Sequence, residues 1–189
     1  MDTERSKRLY LIVGETASGK DTVAQILSQR LGIPIVVSYT DAPIRSDQAE
    51  GVSHYFLTKE EFDRILETGS VIAYTQIGTS GYRYCATLEA IPGDRAIYVI
   101  DPNGIADMKA RVNSLGLSVE LVTIFIDVPR FIREHRAASR QGFDVQARIE
   151  REERQFERFR ESCGWDIRVE NFNKAPDDSV DEILESLRA

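Results

Sequence analysis

The chain has 189 residues, 42% of them hydrophobic and 29% charged, which is enough for one domain with a sizeable core. A net charge of −7 argues against a general nucleic-acid binder. No apolar run approaches the roughly 20 residues that cross a bilayer, and the stretch MDTERSKRLY lacks the apolar segment of a secretion signal, so we expect a cytoplasmic protein that binds neither nucleic acid nor membrane.

The predicted elements begin with a strand, a loop and a helix. The apolar run RLYLIV predicts a first strand. A helix is expected from about Lys20 to Leu31, because the apolar residues of this stretch lie on one stripe: Val23, Ile26, Leu27 and Leu31. The run IPIVVS predicts a second strand.

The stretch from Ser38 to Leu88 has a different pattern. A loop-like segment is followed by TKEEFDRILETG, which predicts a helix with a capping box formed by Thr58 and Glu61. The runs SVIAYTQ and GYRYCAT predict two further strands, since they are rich in Tyr and Val. We interpret this stretch as a small lobe inserted after the second core strand.

The rest of the chain returns to alternating strands and helices. RAIYVID and LVTIFIDV are typical of buried central strands, and DIRVEN predicts a last strand. Helices are expected over about Ile105–Leu115, Val145–Cys163 and Ser179–Arg188. The alternation predicts an α/β fold in which a parallel sheet is flanked by helices.

A phosphate-binding loop (P-loop, or Walker A motif) is predicted between the first strand and the first helix. In GETASGK the spacing of Gly14, Gly19 and Lys20 lets backbone amides converge on phosphate oxygens at a helix N-terminus, with Lys20 against the β- and γ-phosphates. The sequence therefore predicts an ATP site formed by Gly14, Glu15, Thr16, Ala17, Ser18, Gly19, Lys20, Asp21 and Thr22.

One position of this loop departs from the usual pattern. The residue after the lysine is normally Ser or Thr, whose hydroxyl helps to hold Mg²⁺, and here it is Asp21. Two interpretations remain open. Asp21 caps the first turn of the helix, where its charge is stabilised by the helix dipole. Alternatively, Asp21 or the neighbouring Thr22 contacts Mg²⁺, directly or through water.

Nearly the whole chain resembles the guanylate kinase family. The segments that carry the resemblance follow one another in the family's order: VSYTDAPIR, EGVSHYFLTKEEF, VIAYTQ, YRYCAT, IDPNG, FIREHRAASRQ and WDIRVEN. The resemblance implies a P-loop core (8–37, 92–130 and 164–189), a nucleoside-monophosphate-binding lobe (38–91) and a mobile lid (about 136–150). It also implies transfer of the γ-phosphoryl group of ATP to GMP or dGMP, with Mg²⁺.

The resemblance assigns site residues position by position. The lid arginines that reach ATP and the transferring phosphate correspond to Arg136, Arg140 and Arg148. The acceptor site corresponds to Ser38, Thr40, Arg45, His54, Tyr84, Thr87 and Asp101. Three positions of the acceptor site depart from the family's pattern, because an arginine, the glutamate that reads guanine and a small hydroxyl residue are replaced by Ala42, Ala73 and Ala86.

These departures leave the acceptor open. A site that hydrogen-bonds a base edge discriminates by roughly 10⁴–10⁵, and Ala73 cannot make such a bond. The first alternative is a sugar-phosphate kinase, since SGKD resembles the loop of ribose 1,5-bisphosphokinases and a histidine at the position of His54 fits them too. The second alternative is a non-catalytic guanylate-kinase-like binding module, although such modules typically lose the P-loop. The oligomeric state is not indicated.

Overall fold

The structure is a computed structural model that describes residues 7–45, 48–77, 80–138 and 145–188, with the side chains of 145–147 left aside. In chain order its elements are β1 (Lys7–Val13), α1 (Lys20–Leu31), β2 (Tyr39–Thr40), β3 (Tyr55–Phe56), α2 (Lys59–Glu67), β4 (Val71–Ile77), β5 (Tyr82–Thr87), β6 (Arg95–Val99), α3 (Pro102–Ser114), β7 (Val119–Asp127), α4 (Arg130–Ala138), α5 (Val145–Glu161), β8 (Ile167–Glu170) and α6 (Pro176–Ser186).

The main sheet is parallel and has the strand order β6-β1-β7-β8. Helices cover both faces, as expected for a buried parallel sheet. On one face α1 and α6 contribute Val23, Leu27, Val180 and Ile183 to an apolar cluster. On the other face α3 and α5 contribute Ile105, Met108, Phe156 and Phe159. The α/β fold with a flanked parallel sheet is therefore confirmed.

The polar residues at or just after the ends of the main-sheet strands lie along one edge of the sheet. The P-loop follows β1, Asp101 follows β6 and Asp127 ends β7. Because parallel strands end at the same edge of a sheet, ligands of such folds bind outside the carboxyl ends of the strands. The fold thus gathers the candidate site along this edge.

The inserted stretch forms a second, mixed sheet with the order β3-β2-β5-β4. Its helix α2 begins with the predicted capping box, in which Thr58 Oγ1 accepts from the amide of Glu61 at 3.2 Å and Glu61 accepts from the amide of Thr58 at 2.8 Å. This sheet is attached to α3, since the amide of Tyr74 in β4 donates to Asp107 at 2.8 Å. Arg111 holds the same carboxylate at 2.6 Å.

Three predicted elements have different bounds in the structure. The run IPIVVS is not a strand in the structure. Only Ile35 is paired with β6, opposite Ile97, through two backbone hydrogen bonds. Pro34 has no amide with which to extend this pairing. The helices α3 and α6 begin about one turn earlier than predicted, at Pro102 and Pro176. Proline is favoured in the first turn of a helix, where its missing N–H costs no hydrogen bond.

Candidate active site

The predicted P-loop connects β1 to α1. Gly19 has φ 82° and caps the start of α1, a backbone conformation that costs glycine little. Gly14 is also required, because a Cβ there would lie 2.6 Å from Ser18 Oγ and 2.9 Å from the carbonyl oxygen of Ile126. The loop therefore leads directly into the N-terminus of α1, an arrangement suited to phosphate.

The carbonyl oxygens of the loop are held by Arg136 and Asn171. Asn171 Nδ2 donates to Ser18 O at 2.8 Å, while Arg136 Nη1 donates to Ser18 O at 3.3 Å and to Ala17 O at 3.4 Å. Arg136 Nη2 also donates to Asn171 O at 2.7 Å. The predicted lid arginine Arg136 thus lies beside the loop. Asn171 was not predicted as a site residue, although its place directly after the last core strand was a signal.

An ion-pair chain lies on the outer side of the loop. The carboxylate of Glu15 is 1% exposed and accepts from Arg133 at 2.8 Å and from Arg160. Arg160 also donates to Asp127 at 2.9 Å, and Arg168 binds the same carboxylate at 2.6 Å. Sequence reasoning missed Arg133 and Arg160 as neighbours of the loop, because no local pattern joins residues more than 100 positions apart.

The pKa values of the two carboxylates in this series of ion pairs, Glu15 and Asp127, are shifted in opposite directions. Burial raises the pKa of Glu15, although Arg160 and Arg133 favour its ionised form. Burial would also raise the pKa of Asp127, but hydrogen bonds from Arg160 and Arg168 outweigh this effect and hold the pKa of Asp127 below its ordinary value.

Lys20 and Asp21 lie together at the start of α1. Lys20 Nζ is 3.7 Å from Asp21 Oδ2, and the Lys20 side chain is 18% exposed whereas that of Asp21 is 74% exposed. Thr22 is exposed as well. Asp21 and Thr22 both offer oxygen ligands of the kind that Mg²⁺ accepts. In the described part of the chain, groups of three or more His, Cys, Asp or Glu residues that could hold a metal are absent, and Mg²⁺ in kinase sites relies mainly on substrate phosphates and water.

Three predicted acceptor residues come together in the lobe. Ser38 Oγ is 2.9 Å from His54 Nδ1, and the ring of His54 meets Tyr84 edge-on with 5.3 Å between ring centroids. Burial, with the charge of Arg45, lowers the pKa of His54, and Asp21 opposes this shift. Ser38, His54 and Tyr84 therefore form one group in the lobe.

Three other predicted acceptor residues are engaged in local backbone hydrogen bonds. Thr40 is 0% exposed and donates to Arg83 O at 2.9 Å. Thr87 accepts from the amide of Ala90 at 3.3 Å. Asp101 caps α3 by accepting from the amide of Asn103 at 2.8 Å. These contacts stabilise the lobe and the start of α3.

The other two lid arginines differ in what the structure describes. Arg148 Nε donates to Glu152 Oε1 at 3.0 Å. Arg140 lies outside the described residues. Its predicted role at the transferring phosphate stays a prediction.

The positions of the missing base-reading groups lie in the apolar core. Ala73 is 2% exposed and Ala86 0% exposed, and they are paired across β4 and β5. Both belong to the cluster that contains Tyr98, Ile105 and Met108. Nearby Cys85 is buried too, which raises the pKa of its thiol to about 12 and leaves it protonated.

The comparisons with known proteins agree on one family. The family model described as guanylate kinase matches residues 6–189. The curated guanylate kinase of Neisseria gonorrhoeae is 30% identical over 137 residues, which cover 69% of this chain and 63% of that protein. The guanylate kinase of Fusobacterium nucleatum is 29% identical over 115 residues, which cover 58% of this chain and 60% of that protein.

The solved structures agree on the fold. The crystal structure of guanylate kinase from Anaplasma phagocytophilum superposes with a TM-score of 0.70 at 21% identity, covering 98% of this chain and 86% of that chain. In the two curated relatives the matched segments span less than two thirds of the protein. Within the residues that the structure describes, no helix is long and apolar enough to span a membrane.

Proposed function

Because the chain belongs to the guanylate kinase family, we propose that it transfers the γ-phosphoryl group of ATP to the phosphate of a nucleoside monophosphate, with GMP and dGMP as the first acceptors. The observation that supports this proposal is the contact of Arg136 with the predicted P-loop, in a chain that also forms the Ser38–His54–Tyr84 group of the lobe. We infer a donor site at the loop and an acceptor site at the lobe group.

The donor side is built to bind a polyphosphate. Loop amides, the N-terminus of α1 and Lys20 bind the phosphate oxygens, and Arg136, Arg140 and Arg148 surround the migrating group. Phosphoryl transfer is mostly positioning and charge neutralisation. Asp21 and Thr22 at the start of α1 would help to hold Mg²⁺, which would supply further positive charge to the donor.

The acceptor side is built to orient an anion. Arg45, His54 and Tyr84 hold the acceptor phosphate, and Ser38 fixes the ring of His54 through the 2.9 Å hydrogen bond. The attacking oxygen already carries negative charge, so transfer in line with the leaving group needs no general base. Closure of the lid over both substrates excludes water and limits hydrolysis.

A panel of acceptors tests the proposed function. Purified protein with ATP and Mg²⁺ is offered GMP, dGMP, the other nucleoside monophosphates and ribose 1,5-bisphosphate, and ADP release is followed for each. We expect turnover with GMP or dGMP. Absence of both turnover and ATP binding would favour a non-catalytic binding module, against which the intact loop with Gly14, Gly19 and Lys20 argues.

A sugar-phosphate kinase is the second candidate, and one observation favours it. Ala73 and Ala86 leave only apolar surface where a base-reading group is expected. A purine bound there would leave its polar edge unpaired, which is costly for binding. Turnover in the panel with ribose 1,5-bisphosphate alone would replace the first proposal by this one.

A further inference from the structure

The P-loop is attached to helices α4 and α5 by the buried carboxylate of its residue Glu15. Glu15 Oε1 accepts from Arg133 Nη2 of α4 at 2.8 Å, and Oε2 accepts from Arg160 Nη2 of α5. Glu15 is 1% exposed and Arg133 3% exposed. A buried carboxylate is stable only when it is paired and hydrogen-bonded. The two arginines therefore fix where Glu15 lies.

Helix α5 is also anchored to the main sheet. Arg160 Nη2 donates to Asp127 Oδ1 at 2.9 Å, and Asp127 also binds Arg168 of β8 at 2.6 Å. Asp127 ends β7, next to β1, from which the loop emerges. The contact of Arg160 with Glu15 is thus part of a chain that continues into rigid strands.

A second contact joins the next loop residue to α5. Glu152 accepts from Thr16 with both oxygens, from the amide at 2.6 Å and from the hydroxyl at 2.8 Å. Glu152 precedes Arg160 by about two helical turns, or roughly 12 Å along the axis. The helix α5 therefore holds Glu15 and Thr16 from two separate points.

Glu152 also binds a predicted lid arginine. Arg148 Nε donates at 3.0 Å to Glu152 Oε1, the same oxygen that Thr16 Oγ1 contacts. Glu152 consequently lies between the P-loop and Arg148. Any displacement of α5 changes the loop and the position of Arg148 together.

We propose that Glu15 and Glu152 are positioning residues that hold the P-loop in its nucleotide-binding shape and couple it to α5. We call Glu15, Thr16, Glu152 and Arg160 the loop–helix clamp. The inference rests on the proposed function in that ATP is the donor. The clamp acts on the donor site alone, because none of its contacts reaches the acceptor lobe in the described residues.

The variant Glu152→Gln tests the clamp. It keeps the size of the side chain and removes the charge that accepts from Thr16, whereas Glu15→Gln leaves two arginines beside a neutral partner and can prevent folding. We expect the Kd for ADP, measured by calorimetry, to rise about tenfold. Amide hydrogen exchange at 16–20 is expected to become faster in the nucleotide-free protein, and KM for the acceptor to stay unchanged.

The neighbouring variant Glu153→Gln is the matched control. Glu153 lies on the same helix but pairs with Arg130 at the surface, at 2.7 Å, so neither ADP affinity nor loop exchange should change. Equal effects of the two variants would overturn the proposal. So would a lower melting temperature in Glu152→Gln without faster exchange in the loop. If the wild-type protein binds no ADP, the proposed function fails, and the exchange comparison in the free protein still decides about the clamp.

Discussion

Lys20 is the predicted phosphate-binding lysine at the start of α1. Its ammonium lies 3.7 Å from the carboxylate of Asp21, which is 74% exposed. An ion pair with one exposed partner, at 3.7 Å, contributes little to stability. We therefore expect the charge of Lys20 to act on a bound polyphosphate, and Asp21 to interact with a metal ion at the loop or with the dipole of α1.

The variant Lys20→Ala should abolish phosphoryl transfer without unfolding the protein. We expect kcat to fall by a factor of at least about 10³, because one positioned cation is lost from the transferring group. Circular dichroism should give a melting temperature close to that of the wild type. Lys109→Ala, on the exposed side of α3, is the control. Full activity in Lys20→Ala would show that the loop is not the donor site.

His54 gives the protein a pH-dependent stability. Because burial and Arg45 lower the pKa of His54 in the folded state, the unfolded chain binds more protons between that pKa and about 6.5. Stability is present above this window and is lost as the pH falls through it. We expect urea unfolding to show a smaller loss of stability between pH 7.5 and 5.5 in His54→Gln than in the wild type.

The control for this prediction is the other histidine. His135 is exposed on α4, so His135→Gln should keep the wild-type pH dependence. If His54→Gln kept the wild-type dependence of stability on pH, the attribution of this dependence to His54 would be contradicted.

At the scale of elements, the strands β4 and β5 meet α3 through small residues. Ala73 and Ala86 are paired across the two strands and pack with Ile105 and Met108. Close packing of this kind leaves little room for larger side chains. The two positions at which the resemblance expects polar, base-reading groups are thus part of the apolar contact with α3.

The variant Ala73→Glu measures how closed this contact is. A carboxylate without a partner in an apolar cluster should destabilise the protein by about 3 kcal/mol or more, measured by urea unfolding. Ala106→Glu, on the exposed face of α3, should cost much less. A stable Ala73→Glu with improved use of GMP would instead show an open base pocket at this position.

Local sequence patterns predicted the elements and the P-loop but not the contacts around the loop. Gly14, Gly19 and Lys20 are within one segment, so their spacing alone indicates the motif. Glu15 and Arg160 are 145 positions apart, and nothing in their neighbourhoods marks them as a pair. Asp101 is the opposite case. The resemblance matched it as a site aspartate at the end of a strand, and the structure shows that it caps the adjacent helix α3.

At the scale of the whole molecule, one aromatic cluster joins α5 to the main sheet. The ring of Phe125 in β7 contacts Phe156 and Phe159 of α5 and the single tryptophan, Trp165, whose ring centroid is 5.2 Å away. The lobe is continuous with the same core, because Ala73 and Ala86 belong to one cluster with these phenylalanines.

Unfolding should therefore be a single transition. We expect the fluorescence of Trp165, which reports the main sheet, and far-ultraviolet circular dichroism to give the same urea midpoint. The variant Phe125→Ala should lower both midpoints together, with a loss of about 3–5 kcal/mol. Separate midpoints would mean that the lobe unfolds independently of the core.

The attachment of β4 to Asp107 has a kinetic consequence. The 2.8 Å bond from the amide of Tyr74 and the apolar contact of Ala73 join the lobe to α3 on one side, which predicts an acceptor surface that is formed before its ligand arrives. Stopped-flow mixing should then show an observed rate that rises linearly with acceptor concentration. A rate that levels off at high concentration would instead indicate that the lobe rearranges around each acceptor.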